Sequence, residues 1–216
     1  MKLRSFDSSI PKRALVGLQN GSLRYTYRGV TFRKNPLDIA LYMKLLHELK
    51  PMAIIEIGTL HGGSALWFAD QLSTFGIDGH VYSVDIAQPP KIDDPRITFL
   101  QGDAMALENS SLNDLMESIR GPILVIEDSS HLYEASLAVL NYFHQHLSRG
   151  DYIVIEDGIV NDLRGRRYRR YRDGPNRAVR KFLDKHHSDY EIDASICDFF
   201  GQNYTFNPNG YLKRVV

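Results

Sequence analysis

Five short runs rich in isoleucine and valine, "MAIIEIG", "HVYSVDI", "RITFLQGD", "PILVIED" and "DYIVIED", constrain this chain most, because each is too apolar to leave one strand face in water. They read as five buried strands. Stretches with helical spacing lie between most of them, and that alternation is the signature of a parallel sheet with crossover helices, an α/β architecture. "GGSALWFADQLSTFG" follows the first run and "ALENSSLNDLMESIRG" the third. "HLYEASLAVLNYFHQHLSRG" follows the fourth, with Leu132, Val139, Leu140, Phe143 and Leu147 on one apolar stripe and Gly150 as its stop. Before the first strand, "NPLDIALYMKLLHELKP" predicts a packing helix closed by Pro51, and another helix starts at about Pro175. Two further strands, "YEIDASI" and one near "YLKRVV", are expected to close the sheet as an antiparallel edge.

The totals narrow the function. At 216 residues the chain fits one domain, 1–216, with 1–35 as an N-terminal extension and 158–175 as a basic insertion or lid. Hydrophobic residues make up 43% and charged residues 24%, and no apolar run approaches the roughly 20 residues of a membrane span. The N-terminal stretch lacks a continuous apolar segment with a small-residue cleavage site, so a cytoplasmic protein with no membrane partner is expected. One cysteine, Cys197, excludes a disulfide framework and a cysteine-rich zinc site. With 26 Lys+Arg against 26 Asp+Glu, a general nucleic-acid coat is not expected either.

In "IIEIGTLHGGSALWFAD" a strand ends at Glu56-Ile57-Gly58 and a helix begins near Gly63-Ser64. Ligands of open parallel sheets bind outside such strand ends, where helix N-termini offer free N–H groups. Gly58, Gly62 and Gly63, with Thr59 between them, are expected to let a ligand approach the backbone closely. The spacing is not G-x-G-x-x-G, which disfavours a dinucleotide pyrophosphate, and Glu56, read as lying inside the loop, suits a cationic amine. The next strand ends in Asp85-Ile86, the usual place for an acid on ribose hydroxyls. "FLQGDA" then puts Gly102, Asp103 and Ala104 where an acid or a backbone N–H can read an adenine edge. Amine, ribose and adenine together describe S-adenosylmethionine. The competing reading is a set of turn glycines and solvated acids.

These motifs resemble the first three of class I S-adenosylmethionine-dependent methyltransferases. More narrowly, "VIEDSSHLYE", "VIEDG", "GPNRAVRKFL" and the ending "NPNGYLKRV" resemble the cephalosporin hydroxylase family, over roughly residues 30 to 216. Its members include methyltransferases of cephamycin, rhamnosyl and other natural-product hydroxyls. The resemblance implies the class I methyltransferase fold, a Rossmann-like seven-stranded, mostly parallel sheet with an antiparallel terminal strand and helices on both faces. Hydroxylase chemistry does not follow, since no two-histidine, one-carboxylate iron triad stands at recognisable spacing.

Asp128 closes the fourth strand and Glu156-Asp157 the fifth, so adjacent parallel strands would bring three carboxylates to one rim. They would repel each other unless a cation sat among them, and oxygen ligands without cysteine suit Mg²⁺. The resemblance, here to catechol O-methyltransferase-type enzymes and to the family itself, implies Asp128, Glu156 and Asp157 as the divalent-metal ligands, with Asp128 also at the donor. Glu127 is read as a structural acid turned to the opposite face by strand alternation. An acidic rim bonded to helix N-termini and arginines is the alternative. His131, three residues past Asp128, stands where the resemblance implies a general base, usually lysine in the catechol-type enzymes; a helix-capping histidine is the other reading. His61, in the glycine loop, is a weaker candidate. The expected reaction is an in-line displacement in which an acceptor hydroxyl, activated by the metal or by His131, attacks the sulfonium methyl.

From Arg164 to Arg172, "RGRRYRRYR" packs six arginines and two tyrosines into nine residues. A solvated loop, a lid over an acidic acceptor, a homo-oligomer contact and a nucleic-acid surface all fit that composition. The expected partner is a small hydroxylated acceptor, a sugar or a secondary metabolite. A nucleic-acid acceptor and a non-catalytic donor-binding protein are the competing functions.

Overall fold

The structure, a computed structural model, describes residues 4–163, 165–166 and 168–216. Its frame is a seven-stranded sheet made of β3 Ala53–Ile57, β4 His80–Asp85, β5 Ile97–Gln101, β6 Ile123–Glu127, β7 Tyr152–Ile155, β8 Tyr190–Ile192 and β9 Tyr211–Arg214. Their spatial order is β5-β4-β3-β6-β7-β9-β8. The first five strands run parallel and coincide with the five apolar runs. The chain-terminal β9 is antiparallel, as expected, but lies between β7 and β8 rather than at the edge. β8 is shorter than its apolar letters predicted, because Asp193 accepts hydrogen bonds from the Ser195 and Ile196 N–H groups and starts α7, Ala194–Cys197. A carboxylate cap turned the rest of "YEIDASI" into a helix.

Strand alternation assigns each side chain to a face. Ile54, Leu124, Ile126 and Val154 pack under α2 Pro36–Leu49 and α3 Gly63–Thr74. Ile55, Val125 and Ile153 pack on the other face, under α4 Ser111–Met116, α5 Tyr133–His144 and α6 Gly174–His186. Val139, Leu140, Phe143 and Leu147 are buried there with Phe182, each large side chain contributing on the order of 2 kcal/mol of apolar burial. Leu132 is a correction to the expected stripe: it precedes the helix and is 39% exposed. α5 also stops at His144, before the expected Gly150, whose φ of +98° instead serves the turn into β7.

The segment read as an N-terminal extension folds into α1 Lys12–Ser22 and a hairpin of β1 Thr26–Tyr27 and β2 Val30–Thr31. Phe32 anchors it by stacking on Trp67 of α3 at 5.9 Å. Asn35 then caps α2 by accepting from the Leu37 and Asp38 N–H groups, with Pro36 as the first helical residue. Among the described residues no helix is long and apolar enough to cross a membrane.

Asp38 ties α2 to the C-terminal segment. Its carboxyl accepts from the Thr205 hydroxyl, the Asn35 amide, the Phe206 N–H at 3.1 Å and the Tyr211 hydroxyl at 3.4 Å. Burial, only partly offset by these donors, pushes its pKa up to about 6. A folded-state value above the unfolded one means stability that is full below about pH 4 and lost as the pH rises through about 6. Asp38→Asn is therefore expected to flatten the fall in Tm between about pH 4 and pH 7, measured by calorimetry. Equal slopes for the two proteins would refute the assignment.

Candidate active site

All five parallel strands deliver their carboxyl ends to one rim, and a pocket of about 550 Å³ opens there. Of the residues expected at the donor, Gly58, Thr59, Ser64, Asp85, Ile86, Gly102, Asp103, Ala104 and Asp128 line it, as does His131. Asp157 lines it too. Glu56, Gly62, Gly63 and Glu156 lie behind the wall rather than in it.

Packing by itself requires these glycines. A Cβ on Gly58 (φ +112°) would sit 2.2 Å from the Asp128 carbonyl oxygen, and one on Gly63 would sit 2.2 Å from that of Thr31. The first contact joins the ends of β3 and β6; the second seats α3 on the hairpin. Gly62 is likewise crowded by Ile92 and Phe99.

Glu56 is not in the loop. It belongs to β3, is fully buried, and accepts from the Ser83 hydroxyl through Oε2 at 2.7 Å. Among the described residues Oε1 accepts no hydrogen bond of ordinary geometry, although Ser64 beside the carboxyl opposes the rise of its pKa. Burial raises its pKa, opposed by the charge of Lys34. Asp85 ends β4 with Oδ2 on the Leu60 N–H and Oδ1 on the Ala87 N–H, both at 2.9 Å, which leaves each oxygen a second lone pair for a diol. Asp103 accepts from the Met105 N–H at 2.8 Å.

At the far side of the pocket the structure brings together Asp128, His131 and Asp157, with one ligand atom from each lying within 4.8 Å of the others. His131 Nε2 is 3.4 Å from Asp157 Oδ2, and Nδ1 is 4.0 Å from Asp128 Oδ1, buried and, among the described residues, without a hydrogen bond. Both His131 and Asp157 hold φ at +56°, a left-handed conformation uncommon in non-glycine residues, so the loops are strained where the side chains converge. Asp157 keeps its place through its N–H on Asn207 Oδ1 at 3.0 Å. Its pKa is raised by burial, against the pull of His131.

Glu156 points elsewhere. Its Oε1 accepts from Lys34 Nζ at 2.7 Å and from the Tyr42 hydroxyl at 2.5 Å. Lys34 Nζ also reaches Asp128 Oδ2 at 2.5 Å, and the lysine is only 5% exposed. Burial alone would lower its pKa, but Asp128, Glu156 and Glu56 together hold it above the ordinary value, so it stays an ammonium. One ammonium serves two carboxylates, and burial together with the Asp128 charge drives the Glu156 pKa upward. Sequence reasoning missed Lys34; the signal was a cation just ahead of the strong "NP" helix start, which fixes where its stem leaves the chain. Glu127 does face the α5 side, where it accepts from the Ser129 and Ser136 hydroxyls.

The N-terminal segment supplies Gln19, Ser22, Thr31 and Arg33 to the pocket, and the basic segment supplies Tyr168 and Tyr171. Tyr171 meets the His131 ring edge-on at 5.5 Å. Of the six arginines, Arg164 and Arg167 lie outside the described residues, and Arg166, Arg169, Arg170 and Arg172 are exposed.

A sheet of this order, with a glycine-rich first turn and acids at the next strand ends, defines a methyltransferase of the class I type. The family model described as "Rhamnosyl O-methyltransferase/CmcI" matches residues 20–215, and the chain belongs to that family. It is 34% identical over 200 residues to the rhamnosyl O-methyltransferase of Mycobacterium tuberculosis (strain ATCC 25618 / H37Rv), covering 88% of this chain and 78% of that one. Against the Mycobacterium leprae (strain TN) rhamnosyl O-methyltransferase it is 33% identical over 193 residues, covering 88% and 82%. A solved structure of CmcI with Mg and SAM superposes with a TM-score of 0.67 at 28% identity, over 90% of this chain and 78% of that one.

Gly58→Ala is expected to lower stability by at least about 2 kcal/mol, because the methyl group meets a backbone carbonyl and the positive φ disfavours it. Chemical denaturation measures this. A variant within about 0.5 kcal/mol of the parent would show that the β3 and β6 ends can separate.

Proposed function

We propose that the protein transfers the methyl group of S-adenosylmethionine to a hydroxyl of a small natural-product molecule, a sugar hydroxyl in the first instance, with a divalent cation, Mg, at the acidic rim. The observation that carries this is the continuity of one pocket from Asp85 and Asp103, past Gly58, to Asp128, His131 and Asp157. Its volume of about 550 Å³ is within the usual range for a small-molecule site. The Mg and SAM of the CmcI complex support the donor and the ion, and the names of the mycobacterial relatives support a sugar acceptor.

Asp85, on the pocket wall, fits the ribose hydroxyls. Asp128 and Asp157 supply the oxygen ligands that Mg²⁺ prefers. When bound, the ion supplies Lewis acidity, which makes the acceptor hydroxyl easier to deprotonate. His131, with Nε2 3.4 Å from Asp157 and its ring on the pocket wall, is placed to serve as the general base. Tyr171 backs that ring, and Tyr168 and Tyr171 narrow the way water enters from the basic segment.

The donor is expected to raise Tm, and EDTA to cut methyl transfer by about 100-fold or more while donor affinity, read by isothermal titration, shifts by less than about fivefold. Full activity after EDTA treatment would remove the metal from the mechanism. Donor binding without turnover on any hydroxylated acceptor would favour a non-catalytic binding protein.

A further inference from the structure

The pocket is acidic within and basic where it opens. Asp85, Asp103, Asp128 and Asp157 line it along the strand ends, whereas Arg33, between β2 and α2, lines it with an exposed side chain. Among the described residues the Arg33 guanidinium makes no hydrogen bond and no ion pair. Arg96 shows what a structural arginine does in this fold: it donates to Asp94 at 2.6 Å and to Asp70 at 2.7 Å. The basic segment brings a second cation to the same pocket. Tyr171 lines it, and Arg170 lies over the Tyr171 ring, its Cζ 4.6 Å from the centroid, with Nη2 donating to the phenol oxygen. That bond leaves the other N–H groups of the exposed Arg170 for a ligand. Arg169 and Arg172 flank it, exposed and, among the described residues, unpaired.

We infer that Arg33 and Arg170 bind a phosphate group on the acceptor, so that the molecule methylated is a sugar phosphate or a nucleotide-linked sugar rather than an uncharged glycoside. This rests on the reading of the pocket as a methyltransferase site. Guanidinium groups present planar sets of N–H donors that match phosphate oxygens, and a phosphate with roughly two negative charges suits more than one of them. The acids along the strand ends repel the same group, so such an acceptor enters with its anionic end held at the mouth and its hydroxyl turned inward to His131. Tyr171 touches both Arg170 and His131, which puts the anion site and the reacting end one side chain apart. Opposite charge at the two ends thus selects the orientation of the acceptor as well as its class.

The test is isothermal titration in the presence of S-adenosylhomocysteine, which needs no turnover, with rhamnose 1-phosphate, a nucleoside diphosphate rhamnose and, as the uncharged control, methyl rhamnoside. At least one charged sugar is expected to bind about tenfold more tightly than the control or better, with an affinity that falls as ionic strength rises while that of the control does not. The tighter of the two charged sugars identifies the source of the phosphate. Arg33→Gln and Arg170→Gln should each weaken that sugar at least about fivefold and leave the control within about twofold, and Arg33→Lys should recover part of the loss. Both side chains are exposed, so neither change threatens the fold. Equal affinity for charged and uncharged sugars overturns the inference, and so does either glutamine variant that binds the charged sugar within about twofold of the parent. Absence of binding by all three sugars also overturns it, while S-adenosylhomocysteine titrated into the same samples then shows whether the methyltransferase reading stands.

Discussion

The buried ammonium of Lys34 is the interaction on which the arrangement of the rim depends. Parallel strands must end side by side, so Asp128 and Glu156 reach the same place whatever their charges cost. The Glu156 N–H donates to the Glu127 carbonyl at 2.9 Å, which fixes their spacing through the backbone. Without a cation, carboxylates packed at that distance would repel strongly at low dielectric, and breaking a buried ion pair by removing one partner typically costs about 3 to 5 kcal/mol. Lys34 supplies the charge from a segment outside the sheet. That segment is in turn held by the Asn35 cap, the Phe32 contact with Trp67, and the hairpin packed against Gly63.

The sheet was legible because its signal is local and redundant. A strand covered on both faces must be apolar at every position, and Ile54, Ile55, Val125, Ile126, Ile153 and Val154 satisfy that in the letters alone. α1 and the β1–β2 hairpin were not legible. α1 buries only Leu15 and Ser22, and each hairpin strand is two residues long, so neither leaves a periodic pattern to read. The positions of Asp85 and Asp103 on the pocket wall were legible since the first ends β4 and the second follows β5 by two residues, where topology alone fixes their position. The acidic rim was legible only in part. Strand ends indicated which acids meet, but not which of them an ammonium from more than 90 residues away would claim.

The glycine loop shows why identity of letters and identity of role can separate. Gly58 and Gly63 are demanded by neighbouring backbone, and the pocket gains its shape from that packing. The same holds for the "NPNG" ending. Asn207 accepts the Asp157 N–H, while Asn203 and Asn209 donate to the Ser5 carbonyl, so the segment binds the N-terminus to the rim without entering the pocket. Such a segment keeps its letters for the position of Asp157 rather than for contact with a substrate.

Charge balance connects these parts. Glu56, Asp128, Glu156 and Asp157 face one another across a small volume with Lys34 as their common cation, leaving a deficit of three positive charges if all four ionise. The pKa values of Glu56, Glu156 and Asp157 are all raised, with burial the first cause in each, so full ionisation of the cluster is costly. A sulfonium donor with its amine and carboxylate carries a net single positive charge, and a divalent ion carries two. Together they match the deficit, and neither does so alone. Acids that burial makes costly to ionise are thereby favourable partners for cations that enter the pocket.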